Sequence, residues 1–211
     1  DRGGRRLRRR RPAGTGRLRA RCERRRPPHH EEEIITSLQF TLTDSASGTK
    51  QTYAFSDPDG PGGSPAFYGP GTSAQTSNQS DSVIILNANT TYFGEIVLLN
   101  ETKNPADTVS NEVREEGAEH MLFYNPGNNQ VINGGTPYQV KMNGSGITIT
   151  YTDLDEGTPK RSIGLETRIR TGDASARHPL AIVLKHQPGV KDGNYAPGET
   201  DIEVGFKCMV E

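Results

Sequence analysis

The chain has 211 residues, enough for one domain of ordinary size with a tail, or two small ones. Only 31% of the residues are apolar, with 24 Gly, 14 Pro and no Trp, and no run approaches the roughly 18 to 20 apolar residues of a membrane-spanning helix. The net charge of −1 hides two unlike parts: residues 1–26 carry thirteen Arg against Asp1 and Glu23, while the remainder holds twelve basic and twenty-four acidic residues.

Residues 1–33 combine this charge density with no apolar periodicity, which predicts a disordered tail. All its basic residues are Arg, whereas the body has seven Lys and five Arg, a switch that a GC-rich stretch read in a wrong frame would produce. An Arg-rich nucleic-acid arm and a degraded signal region are the competing readings. An intact signal peptide is excluded, because no apolar segment precedes Cys22. His29-His30 offers half of a metal clasp. The acidic body argues against nucleic acid as partner of the folded part, since phosphate neutralisation needs clustered Lys and Arg.

From residue 34 the pattern changes. Leu38, Phe40 and Leu42 alternate with Gln39, Thr41 and Thr43, the period-two mark of a half-buried strand, and residues 51–55 return as its hairpin partner. Residues 57–79, rich in Gly, Pro, Ser and Asn, read as a long surface loop. Strands follow over 82–86 and 90–100, the second with Tyr92, Gly94, Ile96 and Leu98 on one side. Residues 107–120 form the one helical candidate, with Asp107 as N-cap and a narrow stripe of Val109, Val113 and Gly117. Further strands are predicted over 120–124, 146–152, 163–171, 180–186 and 200–210, with a turn-rich connection over 125–136. Roughly eight strands and one short helix point to an all-β, antiparallel, immunoglobulin-like β-sandwich over residues 34–211. Cys208, near the end of the last strand, reads as a small buried hydrophobe.

No nucleophile elbow, phosphate loop, zinc-protease motif or complete calcium loop occurs, so the body is read as a non-enzyme. Asp57-Pro58-Asp59-Gly60 is calcium-like, with two carboxylates at alternate positions before Gly, but Pro61 stands where a third ligand belongs. Asp153, Asp155 and Glu156 read as a solvated hairpin turn. His120 and His186 both sit at element ends, where side chains reach the rim of a sandwich. Two imidazoles from separate strands with Asp57 or Asp59 would make a zinc or copper site, and calcium is the alternative if the carboxylates dominate.

Several segments stand together in one order: Glu31-Glu32-Glu33-Ile34-Ile35-Thr36, Phe55-Ser56-Asp57-Pro58-Asp59-Gly60, Leu86 to Tyr92, Glu119-His120, and Gly164-Leu165-Glu166-Thr167. The run from Leu184-Lys185-His186-Gln187-Pro188-Gly189 to Gly193, and Gly198-Glu199-Thr200-Asp201, complete the set. With these the chain from Glu31 to Glu211 resembles a family of small, largely uncharacterised envelope lipoproteins of Bacteroidetes-type bacteria. Members are often labelled type 1 periplasmic-binding-fold proteins, a label whose α/β fold the strand pattern contradicts. The resemblance implies export, a lipid-anchored cysteine as the only membrane attachment, and location in the periplasm or at the outer membrane. It also implies partnership with an outer-membrane transport receptor or another envelope protein. Cys22 stands where the lipidated cysteine would be, although Arg21 precedes it where such a signal has a small residue. The function expected is non-catalytic binding of a small solute, a metal or a partner protein; the alternative is a structural or adhesion module.

Overall fold

A computed structural model describes residues 33–58, 65–70 and 83–211. In chain order the strands are β1 (Ser37–Asp44), β2 (Lys50–Ser56), β3 (Ala66–Tyr68), β4 (Val83–Leu86), β5 (Thr91–Leu99) and β6 (His120–Tyr124). They continue as β7 (Asn129–Asn133), β8 (Gln139–Met142), β9 (Thr148–Tyr151), β10 (Glu166–Arg170), β11 (Ser175–His186) and β12 (Glu199–Val210). One helix, α1 (Val109–Glu115), lies between β5 and β6. Eight strands form one sheet in the order β3-β2-β1-β5-β10-β9-β8-β7, and four form the other in the order β4-β12-β11-β6. The expected β-sandwich with one short helix is what the chain builds. One pair departs from antiparallel order: β4 runs parallel to β12.

The hairpin of β1 and β2 follows from local chemistry. The Asp44 carboxylate accepts the amides of Ala46 and Ser47 at 2.8 and 3.1 Å, and Gly48 closes the turn at φ 72°. Register then sets Phe40 opposite Tyr53 and Ile96, so the inward faces of three neighbouring strands match. On the other sheet Val204, Phe206, Cys208 and Val210 alternate inward along β12. Burial of this kind is the main source of stability, at about 1.5–3 kcal/mol for each large apolar side chain. Cys208 belongs to this layer, 1% exposed, and burial pushes its thiol pKa up to about 12.

Aromatic rings join the sheets. Phe40 meets Tyr124 with centroids 6.2 Å apart, Tyr124 meets Tyr151 edge-on at 5.6 Å, and Tyr151 meets Tyr138 at 5.1 Å. Two of these rings carry hydroxyls into the core, and each finds an acceptor: Tyr124 donates to the Gly164 carbonyl and Tyr151 to the Leu122 carbonyl, both at 2.8 Å. Strand β6 is buried at all five positions although it lies at a sheet edge. The chain at 163–165 covers it, with the Leu122 amide donating to the Ile163 carbonyl at 2.7 Å.

Three strands, β3, β7 and β8, lie outside the sequence expectation. β3 has three residues and β8 four, too short for alternation to register, and β7 leaves Val131 and Ile132 about half exposed. The helix is shorter than expected and begins after Thr108, which makes no side-chain capping bond; the Asp107 amide and carbonyl instead bridge to Asn100. Its stripe is as expected, with Val109 and Val113 buried. Among the described residues no helix is long and apolar enough to cross a membrane.

Tyr151→Phe removes the hydroxyl that reaches the Leu122 carbonyl and leaves that buried acceptor without this donor. The expected loss is about 1–3 kcal/mol. It should appear as a lower urea midpoint with an unchanged slope.

Candidate metal centre

The helix end is where the site is built. After Glu115 the chain winds down in a tight turn, with the amides of Glu116, Gly117 and Glu119 bonding to the carbonyls of Glu112, Arg114 and Glu116. A Cβ at Gly117 would meet Ile163 Cδ1 at 2.7 Å and the Arg114 carbonyl oxygen at 3.1 Å, so a larger residue would have to displace the Ile163 side chain for the turn to sit this close to the core. The Lys191 ammonium, from the segment after β11, donates to the Gly117 carbonyl at 2.6 Å and to Asp155 Oδ2 at 2.8 Å. Both charged side chains of this ion pair are 2% exposed.

Asp155 is therefore a buried structural group, not part of a solvated turn. Burial works to raise its pKa, but the Lys191 ammonium and the Arg161 and Gly157 amides outweigh this and hold it below the ordinary carboxylate value. Burial depresses Lys191, and Asp155 opposes that shift. Asp153 likewise faces inward, accepting the Gly164 and Leu165 amides at 2.8 Å each. Glu156 alone of the three stays exposed, paired with Lys160.

His120 opens β6 directly after the helix turn and is 1% exposed. Its Nδ1 lies 3.3 Å from the Glu116 carbonyl oxygen. A carbonyl only accepts, so Nδ1 carries the proton and Nε2 presents a bare lone pair. That Nε2 is buried and has no hydrogen-bond partner among the described residues. It faces Glu33 Oε1 at 3.7 Å and Asp201 Oδ2 at 3.9 Å. Ligand atoms of Glu33, Glu116 and His120 all fall within 4.8 Å of one another. Donors around one tetrahedral zinc, at about 2.0–2.1 Å from the ion, stand roughly 3.3 Å apart. The gaps from His120 Nε2 to Glu33 and Asp201, 3.7 and 3.9 Å, are wider than that by about half an ångström, and the set with Glu116 spans up to 4.8 Å, so an ion would draw these side chains inward.

The charges fit the same reading. Burial lowers the His120 pKa to about 4, helped by His186, so the imidazole is neutral, its ligand form, at physiological pH. Glu33 is raised to about 7, first by burial and then by the carboxylates of Asp201, Glu112 and Glu116. Several carboxylates thus crowd the space around His120.

His186 closes β11 and is the cross-strand partner of His120. The two rings stack with centroids 4.6 Å apart and planes 8° from parallel. His186 Nε2 lies 3.6 Å from Glu119 Oε2, on the solvent side. Next to it, Gln187 is fully buried; its amide donates to the Glu119 carbonyl, and its Nε2 to the carbonyls of Asn194 and Pro197 at 2.9 and 2.8 Å. Gly198, at φ 81°, passes so close that a Cβ there would overlap the His186 carbonyl. Beyond it the ladder slips: Lys185 pairs with Thr200 and Leu184 with Ile202, leaving Asp201 as the unopposed residue of a bulge. A bulge re-aims a side chain, and this one carries the Asp201 carboxylate to His120.

Of the residues expected from sequence, His120 and His186 are brought into contact. Asp57 stands just past β2, its amide bonded to the Thr36 carbonyl at 2.7 Å, while the carboxylates beside His120 are Glu33, Glu116 and Asp201. Asp59, Cys22 and His29-His30 lie outside the described residues. Compared with protein-family models, with curated proteins and with solved structures, the chain matches none.

Lys191→Met strands the Asp155 carboxylate in the core, at an expected cost of about 3–5 kcal/mol by chemical denaturation. The metal-free protein should also show opposed pH effects. Glu33 has its folded pKa raised from 4.5 to about 7, so its contribution is lost as pH rises through that window. His120 is lowered from 6.5 to about 4, so its contribution is lost as pH falls through that one. Glu33→Gln removes only the first effect. The melting temperature of the variant relative to the parent should therefore climb between pH 4.5 and 7 in chelator; a flat difference would contradict the burial of Glu33.

Proposed function

We propose that the protein is a non-catalytic, cell-envelope metal-capture protein. A divalent transition-metal ion, zinc or copper, is held by His120 Nε2 with the carboxylates of Glu33 and Glu116, and Asp201 completes the donor set. The observation that carries this reading is the buried His120 Nε2 lone pair, fixed by the Nδ1 bond to Glu116 and faced by carboxylates a ligand-to-ligand spacing away. A metal-ligating histidine commonly donates its other N–H to a backbone carbonyl, as His120 does. An imidazole in the set favours zinc or copper over calcium, which takes oxygen ligands. The envelope location, the lipid anchor and presentation of the ion to an outer-membrane receptor rest on the family resemblance of residues 31–211.

The full chain, freed of metal with chelator, should take up one zinc ion and gain about 2.7 kcal/mol of stability when free zinc is 100 times its Kd. Glu116→Gln, at an exposed helix-end position, should weaken binding while leaving the metal-free melting temperature no lower than the parent's, since it removes one of the carboxylates that repel Glu33. His120→Ala should abolish uptake. Zinc, copper and calcium that all fail to bind or stabilise the chain would leave the structural or adhesion role as the better reading.

A further inference from the structure

We propose that the outer face of the eight-stranded sheet binds a neutral sugar ring, stacked on Phe93 and held by Glu95, Glu166 and Arg168. The site shares no residue with the metal centre, so the inference stands without the metal-capture reading. Phe93 lies on β5, an inner strand between β1 and β10, and is 53% exposed. Its neighbours Tyr92 and Gly94 face the core, so the ring is the apolar residue of the wet side. Register lines up Lys50, Thr43, Phe93 and Arg168 across four strands, and Thr52, Thr41, Glu95 and Glu166 in the row beside them. A hollow of about 260 Å³ opens here, its lining including Thr43, Phe93, Gly94, Glu95 and Glu166.

These groups do little for the fold. Glu95 stands directly opposite Glu166, and like charges so placed weaken a sheet. Glu166 reaches Arg114 only at 3.5 Å, between side chains about half exposed. Among the described residues Glu95 and Arg168 form no ion pair, and the Phe93 ring meets no other ring or cation. A sugar ring uses all of them. Its C–H face packs on an aromatic face, and adjacent hydroxyls meet a planar carboxylate or guanidinium two at a time. Charge chooses among ligands. Lys50 and Arg168 cancel Glu95 and Glu166 within the two rows, so the face attracts neither a phosphate nor a polycation over an uncharged polyol. The hollow is smaller than the roughly 300–1,000 Å³ of drug-sized sites, which suits one ring of a longer glycan lying along the open sheet.

The test titrates the full chain, in chelator, with neutral oligosaccharides built from glucose, galactose, mannose or N-acetylglucosamine, followed by calorimetry. At least one should bind once per chain, with a Kd in the millimolar range or tighter. Phe93→Ala and Glu95→Gln should each weaken that binding about tenfold, while Phe93→Tyr, which keeps the ring, stays within about twofold of the parent. Glu203→Gln, an exposed charge on the other sheet, should change nothing. Far-ultraviolet circular dichroism of each variant should match the parent's, so that lost binding is not lost fold. No binding by any sugar overturns the proposal. Binding that Phe93→Ala leaves intact overturns it too, by placing the sugar elsewhere. Spermidine bound more tightly than every sugar, and released by salt, would make the carboxylate pair a cation site instead. A dimer that Phe93→Ala returns to monomer, seen by light scattering, would make the face a contact between copies and also overturn it.

Discussion

One buried ammonium holds the working end of this molecule together. Lys191 ties the carbonyl at the helix end to the carboxylate of Asp155, and so joins the helix turn, the chain leading into β10 and the segment after β11. A charge taken out of water is tolerated only where partners replace its hydration, and Lys191 has both an ionic and a neutral acceptor. With that joint in place, Glu116 and Glu119 stand on either side of the turn that delivers His120. The Val109 and Val113 stripe fixes the helix itself, and the Gln187 amide on the Glu119 carbonyl adds a second tie to the turn that follows it.

The same region gathers carboxylates where burial disfavours them. Glu33, Glu116 and Asp201 would repel one another if all were ionised, and this repulsion adds to burial, the larger cause, in raising the pKa of Glu33. Lys191, the buried ammonium of this region, is committed to Asp155. A cation between the carboxylates and the imidazole relieves the repulsion directly. On the metal-capture reading, the stability given up in the metal-free state is what binding would recover.

Much of the frame was legible in the sequence, because period-two alternation is a strong signal wherever one face is buried. Leu38, Phe40 and Leu42, Tyr92 to Leu98, and Val204 to Phe206 all point as their spacing demands. The histidines at strand ends were legible too, since position alone brings His120 and His186 to one rim. Their carboxylate partners were not. Asp201 reaches His120 through a ladder slip that no local pattern announces. Glu33 belongs to an acidic run that reads as a solvated leader. Asp155 looks like turn chemistry until Lys191, thirty-six residues away, arrives to bury it. Long-range pairing decided each of these, and pairing at that distance leaves no periodicity to read.

Three of the segments singled out in the sequence, 119–120, 186–189 and 198–201, meet in space at this rim, and their residue types answer to its construction. In the run His186-Gln187-Pro188-Gly189, the histidine stacks on His120, and the glutamine amide is spent on two carbonyls of the loop that returns toward β12. In Gly198-Glu199-Thr200-Asp201, the glycine alone can pass the His186 carbonyl, and the aspartate is the residue the bulge turns inward. Glu119-His120 supplies the outer carboxylate and the inner imidazole. A site that needed only two histidines could have been built without the buried Gln187 or the glycine at φ 81°. Both make sense once the carboxylate of Asp201 must arrive at one side of His120 while His186 covers the other.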